Sequence, residues 1–259
     1  MRDNLRTVVA IGLAAYVIAD IAHHAFGHAG LCWWLGGRIE LLSSVFVRCS
    51  RTGMAVDLAG PLGNLGVGLI ALLILRAAQG LSAAAELFYI LLAAFNLMWF
   101  SIHLIFSVLT GSDDWALLLH AFNDTPLARY SLAGAGVLAY VITARVLRSR
   151  LAPFARPPSR AYVIVVAAWL SAGAIACATA AFDSHGVAVI WREALPQSML
   201  LSIGLLFLPD RARRTLRPLQ PPAEAPAIGL SWGWLAAAVV LCIVSIAFLG
   251  PGIGFKPPL

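Results

Sequence analysis

The chain has 259 residues, of which 61% are hydrophobic and only 12% charged, and its mean hydropathy is +0.86. Soluble domains carry about 25% charged residues, so this composition excludes an ordinary soluble protein and predicts an integral membrane protein. The net charge of +6 comes from basic clusters without interleaved aromatic residues. This pattern does not favour nucleic-acid binding.

Long apolar segments recur along the whole chain. A membrane-spanning helix needs about 20 apolar residues. The candidate spans are 8–35, 54–78, 84–110, 130–148, 161–182, 194–208 and 231–250. The sixth is short, which predicts a tilted or re-entrant segment, whereas the first is too long for a signal peptide and is predicted to stay. The predicted fold class is therefore an all-α, polytopic membrane bundle of six to seven transmembrane helices.

Three histidines lie in the first apolar segment. His24 and His28 are four residues apart, so on an α-helix they share one face and can bind one metal ion. The common zinc-peptidase motif is His-Glu-x-x-His, in which the glutamate is the general base, and Ala25 stands at that position here. His23 is predicted to point about 100° away, in a packing or supporting role. Asp20, one turn earlier, is predicted either to bond a ligand histidine or to pair elsewhere in the bundle.

Further motifs follow in a fixed order. The first segment leads into Gly36-Gly37, the second contains Gly60-Pro61-Leu62-Gly63-Asn64, and the third is followed by Asp113-Asp114. With the histidines, residues 15–120 resemble the site-2 protease family of intramembrane zinc metalloproteases. The resemblance implies a Zn²⁺ ion held by His24, His28 and Asp113 or Asp114, with Asn64 facing the substrate. It also implies a transmembrane protein substrate that is cleaved within the lipid bilayer in regulated intramembrane proteolysis.

Two departures from the family pattern affect the predicted site. Ala25 replaces the base, which implies a form that binds zinc but is inactive. In the third motif no proline lies between Asn96 and Asp113, and Asp114 occupies the position of a glycine. We therefore favour Asp113 as the ligand, with the other aspartate capping a helix near Trp115. His103 is a rival third ligand.

Two alternatives to a protease remain open at this point. The first is a pseudoprotease that binds membrane segments without cutting them. The second is an ion or proton transporter that uses the His and Asp residues, since ionisable groups within a membrane are often part of such paths.

The stretch between the first two spans predicts a β-hairpin over about residues 38–52, because it mixes β-branched residues with partial alternation. Cys32 and Cys49 flank or lie within it. They can form a disulfide if the hairpin faces an oxidising compartment, and otherwise each is predicted to pack as a small apolar residue.

Charge placement predicts an orientation. Twelve basic residues fall on one side of the predicted spans and six on the other. The six are Arg38, Arg48, Arg51, Arg129, Arg192 and Lys256. Because cytoplasmic loops are enriched in Lys and Arg, the N-terminus is predicted to be cytoplasmic and, with seven spans, the C-terminus outside, in a bacterial inner membrane. Residues 1–122 are predicted to form the protease-like core, and 123–259 to add C-terminal transmembrane helices.

Overall fold

The computed structural model describes residues 3–155, 157–209 and 226–254. The α-helices are α1 (Leu5–Ile21), α2 (Gly30–Trp34), α3 (Met54–Ala77), α4 (Ala83–Thr110), α5 (Ala116–Ala121), α6 (Pro126–Leu151), α7 (Pro158–Ala180) and α8 (Trp232–Val244). Four π-helical segments are Ala22–Ala29, Ile190–Ala194, Pro196–Leu200 and Ser245–Leu249. Two 3₁₀ turns are Ala152–Phe154 and Ile203–Phe207. The strands β1 (Ile39–Leu42) and β2 (Val47–Cys49) pair antiparallel.

Within the described part of the chain, six helical stretches are long and apolar enough to cross a membrane. They are Leu5–Trp34, Met54–Ala77, Ala83–Thr110, Pro126–Phe154, Ser159–Ala180 and Trp232–Leu249. This agrees with the predicted helical membrane bundle that carries one small sheet.

The predicted short sixth span is an irregular segment that runs from one end of the bundle to the other. Glu193, near its start, lines a cavity with His28 and Asp114. Leu208, near its end, lies beside Arg148, close to the opposite end of α6. Within the described residues this segment crosses the bundle in addition to the six long helical stretches, although its π and 3₁₀ turns keep it from being one regular helix.

The helix α1 is the centre of the bundle and packs against α4, α7 and α8. Its inward residues Val8, Ile11, Ala15 and Ala19 are fully buried. By contrast, α6 packs mainly on α4 and leaves most of its surface uncovered, as expected for a helix in contact with lipid. Small apolar side chains on α1 allow its neighbours to approach closely, so the residues at its C-terminal end are enclosed from several sides.

Polar contacts mark the two ends of the bundle. At the end where α1 begins, the backbone N–H of Asn4 donates to the carbonyl of Ile228, and Arg160 pairs with Asp3. At the other end, the N–H of Ser44 in the hairpin donates to the carbonyl of Leu249. We call this second end the site end.

The hairpin at the site end is fixed by covalent and backbone bonds. The structure joins Cys32 to Cys49 in a disulfide, which ties α2 to β2. On the other side of the hairpin, Leu42 forms a two-bond antiparallel bridge with Ile253.

Several basic residues that carry the predicted orientation lie outside the described residues. They are Arg2, Arg156, Arg211, Arg213, Arg214, Arg217 and Lys256.

Candidate metal centre

The segment with the three histidines is a π-helix, Ala22–Ala29, not a continuation of the α-helix before it. A π-helical turn closes a hydrogen bond to the fifth residue along the chain, so residues five apart share a face. His23 and His28 are five apart, and their Nε2 atoms lie 3.1 Å from each other. The prediction that His23 points away from the metal-binding face is therefore wrong, because it assumed α-helical geometry.

Both of these histidines present an Nε2 lone pair to the same point. The Nδ1–H of His28 donates to the carbonyl of Val56 over 2.7 Å, and the Nδ1–H of His23 donates to Oδ1 of Asn64 over 2.6 Å. A neutral imidazole carries one proton, so each Nε2 is left as an acceptor. Two lone pairs that converge in this way repel each other unless a proton or a metal ion lies between them, so the pair is a candidate for metal binding.

Asp114 completes this group. Its two carboxylate oxygens lie 3.4 Å from Nε2 of His28 and 3.2 Å from Nε2 of His23. Burial alone would raise the pKa of Asp114, but positive charge and hydrogen-bond donation from the adjacent histidines hold it well below its usual value. When a metal ion is bound, its charge would take the place of the protons on Nε2 of His23 and His28.

Asp113, which we favoured from the sequence, lies at the edge of the group. Its carboxylate lies 3.2 Å from Nδ1 of His103, the one ion-pair contact of Asp113 among the described residues, and its backbone is left-handed with φ of 78°. The following helix, α5, has no side-chain cap, so the predicted capping role is wrong as well. The turn at Asp113 directs its neighbour Asp114 towards the histidines.

His103 supports the aspartate and does not replace it. The indole N–H of Trp99 donates to Nε2 of His103. Because an indole N–H is only a donor, Nε2 is an acceptor and the ring proton lies on Nδ1. That Nδ1–H donates to Oδ2 of Asp114 over 3.0 Å. In this arrangement His103 orients the carboxylate, although one of its ring nitrogens also lies within 4.8 Å of ligand atoms of His23 and Asp114.

Asn64 is turned inward, contrary to the prediction that it faces the substrate. Its side chain has 0% exposure, and it accepts a hydrogen bond from His23. Its amide group donates to the carbonyl of Ala19 and to Oδ1 of Asn96. Both N–H donors and the amide oxygen of Asn64 have partners within the protein, so Asn64 fixes the ring orientation of His23.

We expect Asn64→Ala to lower metal affinity by about 10–100-fold, the usual effect of removing a group that orients a ligand histidine. Metal titration of the purified protein measures this. Ser101→Ala removes another fully buried polar side chain, on α4, and should leave affinity unchanged. An unchanged affinity in Asn64→Ala would remove Asn64 from the site.

Gly60 gives the imidazole of His28 its space. A Cβ atom at Gly60 would overlap the His28 ring, and one at Gly27 would overlap the backbone of Ala59. The glycines in the Gly-Pro-x-Gly-Asn segment of α3 therefore permit close packing against the π-helix. This packing brings Asn64 next to His23 and leaves room for the His28 ring.

We expect Gly60→Ala to reduce metal binding about tenfold or more, because the added methyl group displaces the His28 ring. The matched control is Gly66→Ala on the same helix, where a Cβ atom would meet no atom of another residue within 4 Å. Metal content per folded chain compares the two, and equal losses would show that helix stability, and not the site, is affected.

The two aspartates give a further test. We expect Asp114→Asn to weaken metal binding by more than the 10–100-fold typical of a supporting residue, since it removes a charged ligand. Asp113→Asn should have a small effect. Competition with a coloured chelator measures both affinities, and a larger loss in Asp113→Asn would restore that residue as the ligand.

His24 lies beside the converging nitrogens. Its nearest ring nitrogen is within 4.8 Å of those of His23 and His28. Neither of its ring nitrogens has a hydrogen-bond partner among the described residues, and its Nε2 is 3.7 Å from Asp20. Its assignment as a ligand stays a prediction, but the geometry favours His23. Oδ1 of Asp20 makes no hydrogen bond among the described residues, either to a histidine or elsewhere in the bundle.

No family model, curated protein or solved structure matches this chain. The functional assignment therefore depends on the site itself.

A cavity of about 350 Å³ opens beside the histidines at the site end. Residues Val45, Phe46 and Val47 of the hairpin line it, as do Glu193 and Gln197 of the irregular crossing segment. Sequence reasoning missed these last two, since a short apolar segment far along the chain gave no sign of lying over the first motif. It also missed Trp99, four residues before His103 on the same helix face, a spacing that would have indicated the contact.

Proposed function

We propose that this chain is a membrane-embedded zinc peptidase that cleaves a transmembrane segment of another protein. The observation that carries the proposal is the convergence of Nε2 of His23, Nε2 of His28 and the carboxylate of Asp114 beside an open cavity. Two histidines and one carboxylate form a ligand set used by catalytic zinc, which keeps one position for water or substrate.

When bound, zinc would polarise a peptide carbonyl and make a bound water acidic. The protein supplies the supporting contacts: Asn64 and the Val56 carbonyl orient the two histidines, and His103 orients Asp114. The cavity lets a water molecule and a peptide reach the site, while the bundle buries the rings of His23 and His28.

With His23 as the first ligand, the residue that directly follows it is His24. In the zinc-peptidase motif this is the position of the glutamate base. An imidazole can accept a proton, and both nitrogens of His24 lack a hydrogen-bond partner in the described structure. His24 therefore takes the role that the sequence assigned to position 25, where Ala25 could not act. This favours an active enzyme over the inactive form that Ala25 implied.

The cavity suits an unwound peptide segment. Val45, Phe46 and Val47 give it an apolar wall that leads into β2. A substrate helix that unwinds at its end could lie along this wall, with its peptide groups satisfied by the hairpin and the polar floor of the site.

We also propose that the N-terminus is cytoplasmic and that the site end faces an oxidising compartment outside the bacterial inner membrane. Two independent features support this orientation. The Cys32–Cys49 disulfide is at the site end, and disulfides persist in oxidising compartments. The sequence assigns twelve basic residues to the opposite side and six to the site end, and seven of these eighteen lie outside the described residues. Reporter fusions after Gly80 and after Asn123 should be cytoplasmic and external, respectively.

The deciding experiment reconstitutes the purified protein in liposomes with candidate single-span proteins. We expect fragments that disappear on chelation, return with added zinc and are absent in the His23→Ala, His28→Ala double variant. Zinc-dependent capture of a substrate without cleavage would replace the protease by a pseudoprotease. Proton or metal-ion flux without either capture or cleavage would favour the transporter.

A further inference from the structure

A second, separate group of polar atoms lies one helical turn from the metal centre. Asp20, Ser44, Thr179 and Ser245 line a cavity of about 10 Å³, together with Tyr16 and apolar side chains. The four polar residues come from α1, the hairpin, α7 and the start of the last π-segment. The cavity is therefore closed by four separate parts of the fold.

Two of these side chains have a buried polar atom without a partner. Oδ1 of Asp20 and Oγ of Ser245 make no hydrogen bond within the described residues, and each residue is only 3% exposed. An unsatisfied buried carboxylate is expensive, more so in a membrane bundle, and such atoms indicate a water molecule or ion. The volume is about that needed to hold one water-sized sphere.

The charge around Asp20 is also unbalanced. Its one ion-pair candidate in the described structure is His24 at 3.7 Å, beyond hydrogen-bonding distance. A single carboxylate is neutralised by one monovalent cation, whereas a divalent ion would leave an excess positive charge in the bundle. The polar side chains lining the cavity offer only oxygen atoms, which are the ligands of hard cations.

Two π-helical segments begin at or near the cavity. The π-segment Ala22–Ala29 starts two residues after Asp20, and Ser245 is the first residue of the π-segment Ser245–Leu249. Such departures from α-helical bonding are frequent at functional sites, and irregular helix turns coordinate sodium ions in membrane proteins.

From the enclosed oxygen atoms, the unpartnered Asp20 and Ser245 and the single-sphere volume, we propose that this cavity binds one sodium ion. The ion neutralises Asp20 and joins α1, α7, the hairpin and the last helix. The cavity shares no residue with His23, His28 and Asp114, although Asp20 lies 3.7 Å from Nε2 of His24, the proposed base. Sodium binding and zinc content are therefore measured separately.

The test is binding of ²²Na⁺ to the purified full-length protein in nanodiscs, with choline chloride maintaining ionic strength. We expect saturable binding of about one ion per chain, and a thermal unfolding midpoint that rises with sodium but not with choline. Asp20→Asn should weaken binding at least about tenfold, because it removes the only carboxylate, and Ser245→Ala should weaken it less.

Two controls separate the outcomes. Asp124→Asn removes a carboxylate at the surface, and Ser171→Ala removes a buried hydroxyl elsewhere on α7, so both should bind sodium as the parent protein does. Zinc content should stay unchanged in Asp20→Asn. Absence of saturable ²²Na⁺ binding in the parent protein, or full binding in Asp20→Asn, overturns the proposal and assigns the cavity to a water molecule beside a protonated Asp20. If Asp20→Asn does not fold, saturable ²²Na⁺ binding by the parent protein and its weakening in Ser245→Ala test the proposal. Absence of either result overturns it.

Discussion

Replacing His23 or His28 with alanine is expected to reduce bound zinc from about one ion per chain to background. Each change removes one of two nitrogens that lie 3.1 Å apart and 3.2 and 3.4 Å from the Asp114 carboxylate, and the remaining groups are too few for a stable site. Elemental analysis of the purified protein in nanodiscs measures the zinc content.

The matched variants for this prediction are His24→Ala, within the same helix, and His120→Ala, at an exposed position on α5. Both should keep their zinc, because neither ring contributes to the converging group. Loss of zinc in His24→Ala, with retention in His23→Ala, would mean that the helix pairs His24 with His28 as an α-helix does, and the π-helical assignment of the site would fail.

The second large effect concerns cleavage. We expect His24→Ala to slow proteolysis of a transmembrane substrate by about 10²–10⁴-fold, the usual effect of removing a general base. Zinc content should remain unchanged, so the loss would lie in the reaction and not in metal binding. His24→Glu should retain activity, since it places the common carboxylate base directly after the first ligand. Timed appearance of substrate fragments in liposomes gives the rates.

Position 25 is the control for this prediction. Ala25 follows His24 and does not line the site cavity, so Ala25→Glu is expected to add no activity. A gain of activity in Ala25→Glu, with no loss in His24→Ala, would return the base to position 25 and the ligand role to His24.

The segments that the sequence singled out meet in the structure, but several of their contacts differ from those predicted. Hydropathy and length located the helices because every membrane-spanning helix must cross a bilayer of the same thickness. The segments containing His28, Gly60 and Asp114 do meet in the structure. The sequence could indicate this meeting because the three motifs follow one another along the chain in the order that the family pattern has.

Helix periodicity was the weaker guide. The choice of His24 over His23 assumed 3.6 residues per turn, and a single π-helical turn shifts the partner of His28 by one residue. A run of three histidines was compatible with both pairings. Asn64 was assigned to the substrate by the family resemblance. Its inward direction depends on how closely α3 approaches the π-helix, which glycine contacts determine in three dimensions.

The position of the histidines along their helix has a consequence for the products of the proposed reaction. His23 comes 18 residues after Leu5, about 27 Å along the axis, whereas Trp34 follows His28 by six residues, about 9 Å. A substrate helix cut at this depth keeps a piece of about 18 residues on one side of the break, which is long enough to remain in the bilayer. The piece on the other side is too short to remain in the bilayer. The enzyme would therefore release an external domain and leave a short membrane-spanning fragment.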